Sequence, residues 1–370
     1  MPRSPKRSSA LRDPLLDVLR RPQTTAPTTP RAWSDRIAEA RSSGLLPALA
    51  AVSGALPAPP QAQAHLQAQL HLQTLRLQHM QREIGHLAAA IEPLDVPWVL
   101  LKGAAYVALN LPFAAHRQFG DLDLLVRRSD LAWVEGALMA AGWIGDLRGD
   151  AHDERFYREW SHEVPPVTHV RRGSTVDLHH AISPPLGRYP VDTEVLLAAA
   201  PVVPGYRQLR TLQSEDMVLH SALHSVLSGE FDRALRDLLD IDALIQQGLR
   251  QDPTFETRLT ERARELGVDD VLLQVQWERQ SRLGAAPTAW PRLTTWRMVS
   301  ARLLRPLFRA AGGSWHPRRD SGPRRGAQTL LYLRAHTLRL PLRLLVPHLL
   351  NKLRRRWRDH HAPTTARLEG

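Results

Sequence analysis

Two aspartates, Asp121 and Asp123, bracket Leu122 at the head of an apolar run that continues through Leu124, Leu125 and Val126. Along a β-strand, residues i and i+2 share a face, so the two carboxylates point the same way, about 7 Å apart along the backbone. Such a pair can chelate Mg²⁺ and leave coordination positions open for phosphate oxygens. The alternative is a pair of acidic residues that merely flanks a strand. Three further features favour chemistry. Gly120 allows close backbone approach just before the pair. Lys102 ends another apolar run, Val99-Leu100-Leu101, and is one of three lysines in the chain, with Lys6 and Lys352. Positive charge elsewhere is supplied by Arg, so a lysine here points to a need for a compact ammonium. A third carboxylate, Asp177, lies in the strand-like run Ser174–His180 and shares a face with Thr175 and His179.

The runs around Lys102 and Asp121 read as buried strands joined by a helical segment. After Val126, Ser129 is the expected N-cap of a helix that buries Leu131, Val134 and Leu138 and stops at Gly142. Trp143-Ile144 then returns toward the sheet. Val167–Val170 and Thr175–Leu178 predict a hairpin turning at residues 171–174. Strand–helix–strand order of this kind predicts an α+β fold with an α/β-type core: a mixed sheet flanked by helices, followed by a mainly helical domain.

The rest of the chain frames this core. Residues 1–30 are rich in Pro, Arg, Ser and Thr and predict a disordered basic N-terminus. N-terminal helices are expected over 31–95, the longest from Gln61 to Ile91 with a stripe of Leu66, Leu70, Leu77, Met80, Ile84, Leu87 and Ile91 packed on the sheet. The core spans 96–210, and a helical domain 211–310. Ser214 is the expected cap of its first helix, which presents His220 and His224 on one face. Arg236 and Asp237 in the next helix are candidates to face a cleft; a solvated face is the alternative. The polar stretch Gly145–Arg172 is either an acceptor-binding loop or a surface insertion. Residues 311–370 read as a basic linker and an amphipathic segment, Leu330–Trp357, that packs on the helical domain or meets an anionic membrane surface or nucleic acid.

The 370 residues suffice for two domains. With no cysteine, there are no disulfide partners and no thiolate metal sites. Net charge is +12, which favours an anionic partner. No apolar signal core opens the chain and no apolar stretch spans a bilayer, so a cytoplasmic location is expected, with peripheral membrane contact through the basic C-terminus as a variant.

The motif set LLKG, RQFGDLDLLV, GW and VDLHH resembles the uncharacterised nucleotidyltransferase family of bacteria, placed by similarity in the DNA polymerase β-like nucleotidyltransferase superfamily. The likeness covers residues 96–182 well and the following helices more loosely. It implies a nucleotidyltransferase-like sheet and an NTP substrate, such as ATP, with Mg²⁺ or Mn²⁺ held by Asp121, Asp123 and Asp177. By the same resemblance, Lys102 joins those three as a catalytic residue. Lys102, Gly103, Arg117, Gly120 and His179 form the nucleotide-binding set, with Lys102 and Arg117 neutralising the leaving pyrophosphate. The superfamily's Gly-Ser turn shortly before the carboxylate pair is replaced here by Lys102-Gly103, further upstream and without serine. The reading is therefore an enzyme moving a nucleotidyl group to an unidentified acceptor hydroxyl. Its rival is an inactive scaffold of the same shape that binds nucleic acid, a protein or a membrane.

Overall fold

Helix α5, Pro60–Ile91, is the spine on which the sheet and both site loops are mounted. The computed structural model of the chain describes residues 13–145, 156–319 and 321–350. Before α5 come α1 (Pro14–Arg20), α2 (Pro22–Thr25), α3 (Pro30–Ser42) and α4 (Leu46–Ala51). After it, β1 (Trp98–Leu100), α6 (Lys102–Ala108), β2 (Leu122–Val126), α7 (Leu131–Ala140), β3 (Trp143–Gly145), β4 (Val167–His169) and β5 (Thr175–His179) build most of the core. Helix α8 (Thr193–Ala199) and strand β6 (Leu209–Thr211) complete it. The helical half is α9 (Ser214–Leu227), α10 (Ala234–Gln251), α11 (Phe255–Glu265), α12 (Asp269–Glu278), α13 (Thr295–Ala311) and α14 (Gly322–Arg339).

The six strands form one mixed sheet in the order β3-β4-β5-β2-β1-β6. The two central strands, β1 and β2, are antiparallel, while β6 and β5 add to them in parallel. All residues of β1 and β2 are buried, which explains why both are apolar apart from Asp123. The expected hairpin forms: β4 and β5 pair antiparallel with Thr168 opposite Thr175. The α+β architecture read from the sequence is the observed one.

One cluster of buried apolar side chains runs from the sheet (Val99, Leu124, Leu178) into the helical half (Leu219, Leu244, Leu272, Leu331). A second cluster joins Leu15, Val18, Trp33, Leu49 and Leu66 to Leu235. The disorder expected for residues 1–30 therefore does not hold from Asp13 onward. Asp13 accepts from Leu16 N at 3.1 Å, Pro14 sits at the first helical position, and Leu15 and Val18 are fully buried. A helix of seven residues, about two turns, is too short to show a period, which hid it from pattern reading. The segment read as a linker also differs. Ser314 N and Oγ both donate to the Asp13 carboxylate at 2.8 Å, and Trp315 Nε1 donates to Asp232 O. Helix α14 already begins at Gly322, capped by Ser321. It buries Ala327, Leu331 and Ala335, and its end rests on a turn where Arg188 N donates to Leu338 O. Gly187 is required there, because a Cβ would lie 2.7 Å from Leu338 O. Residues 351–357 of the amphipathic segment lie outside the described residues. Two expected caps also shift by one position: Ser129 Oγ bonds to the Asp130 carboxylate, and Ser214 is the first residue of α9.

Leu70 is more than a third exposed, whereas Gln69 and Gln73 of α5 turn inward. Gln73 Nε2 donates to Arg117 O at 2.6 Å, and Glu83, 1% exposed, accepts from Arg172 Nε at 2.7 Å and Ser174 Oγ at 2.6 Å. Burial alone would raise the Glu83 pKa; the bonds from Ser174 and Arg172 outweigh it and hold the carboxyl below its usual range. Two polar residues of one helix thus pin the loop before β2 and the hairpin before β5. Glu83→Ala leaves Ser174 and Arg172 without their acceptor and is expected to cost about 2 kcal/mol, read from urea denaturation. A midpoint equal to wild type would contradict this bracing role.

Candidate active site

The site is assembled where three chain segments meet at one end of the central strands. Because β1 runs antiparallel to β2, the end of β1 lies beside the start of β2, and Leu101 N donates to Asp123 O at 3.0 Å. Because β5 runs parallel to β2, Asp177 stands directly opposite Asp123. Asp121, just before β2, is exposed, whereas Asp123 is 6% exposed. The three expected carboxylates are therefore brought together by sheet register.

Lys102 follows β1 with φ of +44°, in the left-handed region that few side chains adopt. Its Nζ donates to Asp123 Oδ1 at 2.8 Å, and His179 Nε2 lies 3.2 Å from the same oxygen. Burial would raise the Asp123 pKa, but the Lys102 charge and the His179 bond hold it well below the carboxylate range. Asp177 moves the opposite way. Burial, then the charges of Asp121 and Asp123, push it up to about 8. Two neighbouring carboxylates cannot both ionise freely without a cation between them. The donor set is all oxygen and sits at a strand end, which suits Mg²⁺.

The remaining expected residues divide. Gly103 faces Arg117, not open space: a Cβ there would lie 2.6 Å from Arg117 Nη1. Arg117 is itself an anchor. Its Nε donates to Asp240 of α10 at 2.6 Å, its Nη1 donates to Gln118 O, and its guanidinium lies 5.6 Å from the Tyr106 and Phe119 ring centres. Arg117 thus borders the cleft with its guanidinium held in a buried ion pair that ties the loop before β2 to the helical half. Gly120 has nothing within 4 Å of a would-be Cβ and borders open space. His179, 2% exposed, reaches the site through Asp123.

A cleft of about 840 Å³ opens on Lys102, Gly120, Asp121 and Asp123. Its opposite wall comes from the helical half and includes His224, Arg233, Arg236, Asp237 and Tyr332. That volume accommodates a nucleotide-sized ligand. His220 and His224 do share a face of α9: His224 borders the cleft, and His220 is buried beneath it. Burial, then the Lys102 charge, pushes His220 down to about 3; for His224 the Lys102 charge leads and burial follows. Both imidazoles are neutral. Arg236 pairs with Asp237, while Arg233 has no carboxylate partner among the described residues. Arg233 was not legible as a site residue, because it precedes a helix in a polar turn that resembles any surface connection. Glu163 and His162 were also passed over. Part of the stretch read as an acceptor loop, residues 146–155, lies outside the described residues.

The sequence profile of a family described as "Uncharacterised nucleotidyltransferase" matches residues 29–283, more than half of the chain. No curated protein and no solved structure matches the chain.

Asp177 supplies a pH test. In the unfolded chain its carboxyl titrates near 4, and in the folded protein near 8. A raised folded pKa stabilises below the unfolded value, and that contribution is lost as pH rises through the folded value. Without divalent cation, the melting-temperature advantage of Asp177→Asn over wild type should widen from about pH 6 to about pH 9. A constant gap would contradict the charge crowding.

Proposed function

Since the chain belongs to the uncharacterised nucleotidyltransferase family, and is on that ground a transferase, we propose that it moves a nucleotidyl group from an NTP to an acceptor hydroxyl with the help of Mg²⁺ or Mn²⁺. The observation that carries this reading is the register pairing of Asp123 with Asp177, with Asp121 and Asp123 lining a nucleotide-sized cleft. Asp121, Asp123 and Asp177 would hold the cation. Once bound there, it would neutralise phosphate charge and favour ionisation of a nearby hydroxyl.

The chain's own residues supply positioning and electrostatics, on which phosphoryl-type transfer mainly depends. Asp177, opposite Asp123 and freed of its proton when the cation binds, is the carboxylate placed to take the acceptor proton. Lys102, bonded to Asp123 and bordering the cleft, suits a cation that shifts toward phosphate oxygens. Arg233 and Arg236 on the facing wall replace the missing Gly-Ser turn as phosphate partners. The neutral His224 adds a hydrogen-bonding group without charge.

The test is transfer of label from an α-labelled NTP to small-molecule, RNA and protein acceptors. The double variant Asp121→Asn, Asp123→Asn should lose transfer entirely while melting as a folded protein. Undiminished transfer by that variant would overturn the assignment.

A further inference from the structure

Behind the carboxylates lies a second cluster, built from different donors. Residues 162–164 run antiparallel to the end of β5: Val164 N donates to Leu178 O at 2.9 Å, and His180 N donates to His162 O at 2.9 Å. This pairing sets Glu163 opposite His179. Glu163 Oε2 lies 3.6 Å from His179 Nδ1 and 3.7 Å from His162 Nε2. One ligating atom from each of the three residues falls within 4.8 Å of the others. Those separations exceed hydrogen-bond length. Two donors at about 2.0 Å from a common tetrahedral ion stand roughly 3.3 Å apart, so side-chain rotations of a few tenths of an ångström to about an ångström suffice to close the set.

An independent observation points the same way. His179 is 2% exposed, yet its Nδ1 is buried without a hydrogen-bond partner among the described residues. Buried imidazole nitrogens are rarely left so. The other ring nitrogen, Nε2, faces Asp123 Oδ1 at 3.2 Å. Carboxylate, imidazole and open nitrogen in that order form the arrangement by which metal-binding histidines are oriented.

We propose that His162, Glu163 and His179 form a binding site for a zinc-class divalent cation, separate in ligands from the oxygen site of Asp121, Asp123 and Asp177. Two imidazoles and one carboxylate select zinc or cobalt over Mg²⁺, which takes oxygen donors. Three protein ligands leave a fourth position open. Occupancy fixes His179 with Nδ1 on the metal and Nε2–H on Asp123. It also ties residues 162–164, within the polar stretch that is a candidate acceptor loop, to β5. The inference stands on these residues alone and does not require the chain to transfer nucleotides.

The experiment is titration of Co²⁺ into metal-free full-length protein, followed by visible absorption and by Zn²⁺ displacement. Wild type should take up one Co²⁺ with the intense bands of four-coordinate cobalt, and Zn²⁺ should remove them. Asp121→Asn should keep those bands. His162→Gln and Glu163→Gln should each weaken binding more than about 100-fold, beyond the loss typical of an outer-shell partner. X-ray absorption of the zinc-loaded wild type needs no variant and should show two imidazole ligands. Absence of the four-coordinate bands in wild type, or bands lost in Asp121→Asn but kept in His162→Gln, would overturn the proposal. So would an absorption spectrum without imidazole scattering.

Discussion

The repulsion among three carboxylates gathered by sheet register is the constraint around which the rest of the molecule is arranged. Asp123 and Asp177 face each other across parallel strands, with Asp121 beside them. Left uncompensated, such a cluster would favour another register or protonation throughout. The fold compensates one member fully: Lys102 and His179 both meet Asp123. It leaves Asp177 uncompensated, near pKa 8. The left-handed backbone at Lys102 belongs to this balance, since a residue so placed persists only where its surroundings hold it.

Holding the cluster requires rigid support on two sides. On one side, α5 reaches the loops with side-chain bonds from Gln73 and Glu83, the polar interruptions of its apolar stripe. On the other, the Arg117–Asp240 ion pair fastens the loop before β2 to α10, and Tyr106 OH meets Ser221 Oγ at 2.9 Å. The cleft walls are thereby linked by buried polar contacts as well as by a shared apolar core. No helix among the described residues is long and apolar enough to cross a membrane.

Much of the core was legible in the sequence for a local reason. The period of two along a strand set Asp121 and Asp123 on one face, while Asp177 joined them through the family resemblance and needed the parallel pairing of β5 with β2 to reach them. Lys102 stood out through the scarcity of lysine. Other features depend on contacts between distant segments, which no local period records. Nothing near Arg117 in the sequence shows that Asp240, far along the chain, holds its guanidinium. Glu163 and His162 acquire meaning only through backbone pairing with β5. Arg233 matters because α10 begins across the cleft from Asp121. The helix at Pro14–Arg20 escaped composition because three buried residues on one turn are enough when Asp13 caps it and Ser314 returns to it.

The most direct measurement is calorimetric titration of Mg²⁺ into metal-free protein near pH 7, in two buffers of different ionisation enthalpy. If the carboxylates are crowded and await a cation, binding displaces the Asp177 proton, and the buffer dependence should correspond to about one proton released per site. The same titration of Asp177→Asn should show none. Heats of binding independent of the buffer in the wild type would contradict the account.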